Sequence, residues 1–482
     1  MKKGLLIRIS AILLSALMLL AAVACGNASD ETVNTTAADT TSAITEEETS
    51  YVPDIEVKNY DEKFNIITGH SVPAEKIALE ELDKAEAGDV EIAVYERGLR
   101  IKEHLGVTLV MQDGGDWMRY ADTVMRSVSS NSDDYQLVLT NVYYGVAPFV
   151  ANGYLYDIGE LDAVNLDAPY WAGDLMEDIR VEDKYYLGYG DMCLSDVLVV
   201  IANKDLMEKY NITAPYDDVR NRKWTLDKMA EIASLVSENN GDPKWDETDV
   251  YGISGLAWIP FISFITSSDM KIVDRDENGV FSLAYSRNSE KMLSLIEKLT
   301  AMHDAEYSYF WPHTTGVELD FASGNTLFQL YHSSSLETLR SEAVRFGILP
   351  YPLYDENQKE YKSLNWNGLI AVPTTIGNPD MVGEVLELMN YYSADVKVAY
   401  HEKLLGTKLA DSPDDAEMLN IIWASQTSDV GLICCNCNDF MDKLVYMVPS
   451  LVGGYKNAIS FSSYLGRYTT AAQRGLDKVF KQ

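Results

Sequence analysis

Short apolar runs alternate with helical patterns between Phe64 and Thr140, and no other feature of the chain restricts its fold as much. Phe64-Asn65-Ile66-Ile67-Thr68 reads as a strand ending in Gly69-His70. The spacing predicts a helix over Val90 to Leu105, stopped by Gly106, and then a strand from Val107 to Met111. A helix from about Met118 to Ser129 and a strand from Tyr135 to Thr140 follow. Strand, helix, strand, helix, strand with short connections signals an α/β unit on a largely parallel sheet. Ligands of such sheets bind beyond the carboxyl ends of the strands. That directs attention to Gly69-His70, Asp113 to Trp117 and Asn141 to Tyr144.

The chain ahead of this unit is of a different kind. Lys2, Lys3 and Arg8 precede an apolar run from Ile9 to Ala24, and then come Cys25 and Gly26. A charged start, a short apolar core and small residues form a secretory signal, expected to span residues 1–24. The run is shorter than the roughly 20 residues a membrane-spanning helix needs. Ala22-Val23-Ala24-Cys25-Gly26 resembles the lipobox of bacterial lipoproteins, which implies a lipid on Cys25 and a place on the outer face of the cytoplasmic membrane. Residues 25–59 are dominated by Asp, Glu, Thr, Ser and Ala and bury too little apolar surface to offset their ordering entropy, so a solvated tether is expected there. More than 400 residues remain, too many for one core and enough for two lobes. With 39 Lys+Arg against 74 Asp+Glu the net charge is −35, which repels phosphate backbones and excludes nucleic acid as a partner.

Metal and catalytic signatures are missing. Cys193 and the cluster Cys434, Cys435 and Cys437 lack the separated ligand pairs and nearby His of a zinc site, so buried or partly oxidised thiols are expected. Asp274-x-Asp276-x-Asn278-Gly279 matches half of a calcium loop, but Tyr285 stands where the bidentate Glu belongs. Its flanks, Lys271-Ile272-Val273 and Val280-Phe281-Ser282-Leu283, read instead as a β-hairpin around Asn-Gly. There is no G-x-S-x-G, no H-E-x-x-H, no phosphate-binding Gly loop and no dinucleotide fingerprint.

Later segments carry a resemblance. "GYLYDI", "KYYLGYGD", "VVIANKDLMEKYNI", "KWTLDKMAEIA", "TLFQLYHSSS", "RFGILPYP" and "WNGLIAVP" occur in that order over nearly the whole chain after the tether. Together they are similar to the extracellular solute-binding proteins of the maltose-binding type. The resemblance implies an α/β, two-lobed periplasmic-binding-protein-like fold with discontinuous lobes joined by crossover strands. The crossings are expected near Leu194 to Val199, Leu364 to Asn367 and Asp411 to Asn420. Lobe 1 would comprise 60–195 plus 366–412, and lobe 2 would comprise 196–365 plus 413–482. The implied function is capture of a carbohydrate, an oligosaccharide above all, and delivery to the permease subunits of an ABC importer. The protein would act as a monomer, without catalysis, metal or cofactor.

Sugars present apolar CH faces and dense hydroxyls, so their clefts need flat aromatic walls and fixed amide, hydroxyl and carboxylate groups. Residues placed for this are His70, Asp116 and Trp117 at strand-to-helix turns, Asn141, Tyr143 and Tyr144 after the third strand, and Asp191 before the first crossing. Trp258, His332 and Ser333 follow strands of the second lobe, and Asn365 and Trp366 lie at the second crossing. For Trp117, Trp258 and Trp366 core packing is as good a reading as a cleft wall. The alternative function is a secreted glycoside hydrolase or another surface carbohydrate-active lipoprotein, since that chemistry needs only two carboxylates. An adhesive or signalling surface protein would be expected to carry repeats or extra modules, and none appear.

Overall fold

The computed structural model describes residues 51–69, 76–83, 85–115, 119–142, 146–276, 279–286, 288–312, 317–339, 341–405, 412–435, 439–452 and 460–480. The first unit is β1 (Glu62–Thr68), a helix over Asp89–Leu105, β2 (Val107–Asp113), a helix over Arg119–Ser129 and β3 (Leu137–Asn141). Gly106 ends the first helix in the left-handed conformation, φ 67°, with its N–H on the Lys102 carbonyl. A Cβ there would come within 1.9 Å of the Asn59 side chain, so no other residue closes this turn. Residues at the end of the expected tether dock at this corner. Lys58 and Tyr60 donate backbone hydrogen bonds to the His104 and Leu105 carbonyls, each at 2.8 Å. His104 Nε2 meets the Ile55 carbonyl at 2.8 Å, and Lys58 pairs with Glu384.

Farther along come β4 (Gly188–Tyr189), β5 (Leu198–Asn203), β6 (Ser237–Glu238), β7 (Val250–Leu256), β8 (Val273–Arg275), β9 (Phe281–Leu283), β10 (Ser308–Trp311), β11 (Thr326–His332), β12 (Phe346–Leu349), β13 (Ser363–Leu364), β14 (Asn367–Ala371) and β15 (Gln426–Thr427). They form two main sheets. The first has the order β2-β1-β3-β14-β4, and the second β10-β7-β11-β5-β12 with β6 on β7. β8 and β9 make the expected hairpin, antiparallel from Val273 opposite Leu283. All six residues of β5 are buried, which suits a strand covered on both faces. Fully burying each such Val, Leu or Ile is worth about 1.5–3 kcal/mol.

Both sheets are largely parallel, as expected for the first unit, but each takes in one internal strand that runs against its neighbours. β1, β2 and β3 are parallel, but β14 runs antiparallel to β3. β7, β10 and β11 are parallel, but β5 runs antiparallel to β11. The reason is the path of the chain. β5 and β14 each enter their sheet from the side where the parallel strands end, so they must run the other way. That shared side is a seam. β1, β2 and β3 end there at Thr68, Asp113 and Asn141, and β7, β10 and β11 at Leu256, Trp311 and His332. Two connecting segments cross it. Val197 bridges to Asn365, the Trp366 N–H donates to the Asp196 carbonyl (2.8 Å), and the Val142 N–H donates to the Trp366 carbonyl (3.1 Å).

The third crossing does not run over Asp411 to Asn420. Pro413–Ala424 is a helix, capped by the Ser412 side chain on the Asp415 N–H. Ser at the cap, Pro at the first position and acids in the first turn are helix-start signals that outweigh a crossover strand here. Asp415 is fully buried and binds Lys204, the Tyr216 hydroxyl (2.6 Å) and the Ile348 N–H (3.0 Å), which places this helix on the second sheet. Residues 406–411, which lead into it, lie outside the described ones.

Candidate functional site at the seam of the two sheets

Three aromatic rings from distant parts of the chain converge at the seam. Trp258 caps the helix Ile259–Ser267 just beyond β7, with its N–H on the Leu256 carbonyl (2.8 Å). Its ring meets Trp366 edge to face, with centroids 5.9 Å apart and planes at 72°. Tyr446, which follows a helix near the carboxyl end, also meets the Trp258 ring, with centroids 5.6 Å apart. Trp258 and Trp366 are 5 % and 7 % exposed, so in this arrangement each is buried. The sequence left these two tryptophans open between core and cleft wall, and the fold makes them a buried pair on the boundary of the two sheets.

His332 gives the cluster its polar edge. Its ring is 6.0 Å from Trp366, and its Nδ1 lies 3.0 Å from the Asp196 carboxylate. Asp196 also accepts the Ser333 hydroxyl (3.2 Å) and the Ser334 N–H (3.0 Å). Burial pushes this carboxyl up, but His332 and the hydrogen bonds outweigh it and hold the group below the usual carboxylate range. Ser333 locks the geometry, since its hydroxyl accepts the Val197 N–H (3.1 Å) while its own N–H donates to the Val197 carbonyl (2.8 Å). The end of β11 is thereby fixed to the first connecting segment.

The remaining expected residues divide. Asn141 is buried at the end of β3, paired with Asn367 across the ladder. His70, Asp116, Trp117, Tyr143 and Tyr144 lie outside the described residues. Asp191 and Asn365 do not join the aromatic cluster. They line a separate cavity of about 280 Å³ beside Lys397, His401, Trp423 and Gln426. Successive side chains of an extended segment point to opposite faces, so Asn365 is turned away from the face that Trp366 occupies. Sequence reasoning missed Tyr446 and Asp196. Nothing local marks Tyr446, whereas Asp196 stands inside the expected first crossing, and an acid at that position is the signal that could have found it. Cys193, Cys434 and Cys435 are buried, and among the described residues no cluster of His, Cys, Asp or Glu is arranged to hold a metal.

No protein-family model matches the sequence, and no curated protein does. Solved structures do match by shape. An ABC transporter solute-binding protein from Thermotoga lettingae, bound with α-D-tagatose, is 14 % identical with a TM-score of 0.56, covering 86 % of this chain and 100 % of its own. The maltose/maltodextrin-binding domain MalE from Bdellovibrio bacteriovorus, bound to maltotriose, is 15 % identical with a TM-score of 0.53, covering 87 % and 99 %. UgpB from Mycobacterium tuberculosis, in complex with glycerophosphocholine, is 14 % identical with a TM-score of 0.57, covering 80 % and 95 %. Likeness at such identity is a likeness of fold, and on it the chain has the two-lobed α/β fold of the ABC-transporter solute-binding proteins.

Proposed function

We propose that this chain is an exported, lipid-anchored binding protein that captures a carbohydrate at the seam between its sheets and delivers it to an ABC importer. The observation that carries the reading is the convergence of Trp258, Trp366 and Tyr446 with the His332–Asp196 pair where the strand ends of both sheets meet. Aromatic faces accept the CH face of a sugar ring, and the imidazole, carboxylate and nearby amides accept its hydroxyls. A site built from two sheets also lets closure be driven by the ligand, because each sheet supplies part of the contact. The tagatose, maltotriose and glycerophosphocholine held by the similar structures all carry several oxygen groups, in keeping with this chemistry. On this reading residues 60–195 with 366–412 form one lobe, and 196–365 with 413–482 the other. The amino-terminal pattern through Cys25 supplies export and a lipid, and residues 25 to about 54 the tether.

The test is a thermal-shift screen of the chain without its signal against monosaccharides, polyols and oligosaccharides of defined linkage, with amino acids and short peptides as controls. A binder present at 100 times its Kd stabilises by about 2.7 kcal/mol through mass action. The expected result is a saturable shift from one glycan class and complete recovery of the added sugar after prolonged incubation. Stabilisation by peptides alone refutes the carbohydrate reading, and release of new reducing ends refutes binding without turnover.

A further inference from the structure

The cavity that holds Asp191 and Asn365 is separate from the aromatic cluster and belongs to the other face of the connecting segments. Its walls come from residues 169–175 and 189–195 around the first connection, from Asn365 and Gly368 at the second, from Trp423, and from Gln426 at the start of β15. The helix Ala394–Leu405 adds Lys397 and His401. At about 280 Å³ it lies just under the range of roughly 300–1,000 Å³ typical of pockets for drug-sized molecules. It has room for one sugar ring or a short polyol and not for a chain.

Its chemistry is polar but balanced. Lys397 Nζ lies 2.8 Å from both oxygens of Asp191, so the two charges cancel. The His401 ring lies flat on Trp423, with centroids 3.9 Å apart and planes at 11°. Burial, with Lys397 adding to it, pushes the imidazole down to about 4, so at neutral pH the ring is uncharged and offers one donor and one acceptor. The Asn365 amide donates to Gln426 Oε1 (2.8 Å), and Gln426 Nε2 to the Trp423 carbonyl (3.2 Å), which fixes both amides at the wall. A small anion meets the Asp191 carboxylate here and a small cation meets the Lys397 ammonium. Neither finds an uncompensated partner. A neutral molecule with several hydroxyls meets the Asp191–Lys397 pair, the Asn365 and Gln426 amides and an indole–imidazole stack, among apolar walls.

We propose that this cavity is a second binding site, for a small uncharged polyhydroxylated ligand of the size of a single monosaccharide or pentitol. The site is independent of the seam, because Asn365 and Trp366 face opposite sides of one extended segment. A ligand there touches the first two connections together with Trp423 and Gln426, and stabilises the arrangement in which the cavity is formed.

The test uses the full chain after its signal, titrated with D-glucose, D-galactose, xylitol and ribitol by saturation-transfer NMR and by thermal shift, with acetate and ethylammonium as charged controls. Wild type, Trp258→Ala, Trp423→Ala and Gln426→Leu are compared after circular dichroism confirms that each is folded. The expected result is saturable binding of at least one polyol that persists in Trp258→Ala and weakens at least tenfold in Gln426→Leu and Trp423→Ala. If Trp423→Ala does not fold, Gln426→Leu carries the comparison. Absence of saturable binding up to on the order of 10 mM, where binding is worth less than about 3 kcal/mol, overturns the proposal. So does binding lost in Trp258→Ala but kept in Gln426→Leu, or tighter binding of acetate or ethylammonium than of every polyol. A chain that binds no oligosaccharide at the seam yet passes this test retains the second site.

Discussion

Truncating Trp258 to Ala removes an indole that is 5 % exposed and in contact with Trp366 and Tyr446. Large-to-small changes of this kind cost the lost transfer free energy and the energy of the cavity left behind, about 3–5 kcal/mol for a buried Trp. Trp366→Ala is expected to cost the same, since that ring is 7 % exposed. The edge-to-face contact between them adds a coupling of about 0.5–1.5 kcal/mol. The double variant is therefore expected to be less destabilised than the sum of the singles by that amount. Urea unfolding followed by far-ultraviolet circular dichroism measures all three, because the signal does not depend on the indoles removed. A calorimetric titration with the best glycan is run on each folded variant, and a loss of on the order of tenfold in affinity, about 1.4 kcal/mol, is expected. A stability cost below about 1 kcal/mol for either single variant refutes the packing described here. Additivity within about 0.3 kcal/mol refutes the contact between the rings. Full affinity in both folded variants removes the cluster from the binding site.

Asp196→Ala leaves the buried Ser333 hydroxyl and the Ser334 N–H without their acceptor and is expected to cost about 1–3 kcal/mol in the same unfolding assay, with an unchanged melt as the refuting result. His401 is held neutral, its pKa lowered from 6.5 to about 4, so it contributes stability that is present above pH 6.5 and lost as pH falls through 4. Discounted for the ring's partial exposure, the contribution is on the order of 1–2 kcal/mol. It is read as the difference in melting temperature between wild type and His401→Gln across pH 7 to 4, and a constant difference refutes it. Cys25→Ala is expected to leave the protein unprocessed or to shift it from the membrane fraction to the medium, and identical fractionation and migration of mutant and wild type refute lipid attachment.

Much of the architecture was legible because it is locally encoded. The helix that follows β1 stops at Gly106, and β5 announces itself as an unbroken apolar run ending in Asn203, whose side chain caps the next helix through the Asp205 and Leu206 N–H groups. Ser412-Pro413-Asp414-Asp415, expected to lie in a crossing, starts a helix through its own capping chemistry. The candidate site was legible only in pieces. Trp258, His332 and Trp366 stood out as large or titratable residues just beyond strands, but the same reasoning selected Asp191 and Asn365, which belong to a different cavity.

The sequence by itself determined the alternation of strands and helices, the strongly acidic surface and the distinct amino-terminal segment, because each follows from local propensity, periodicity or composition. Only the tertiary structure decided what meets what. Trp258, Trp366 and Tyr446 are separated by 80 residues or more and are neighbours because two sheets share one seam. Asn365 and Trp366 are consecutive yet serve different faces, because an extended backbone alternates its side chains. Which face holds rings and which holds a polar cavity depends on how β5 and β14 enter their sheets from the seam, and that is a property of chain path over long separations that no local pattern carries.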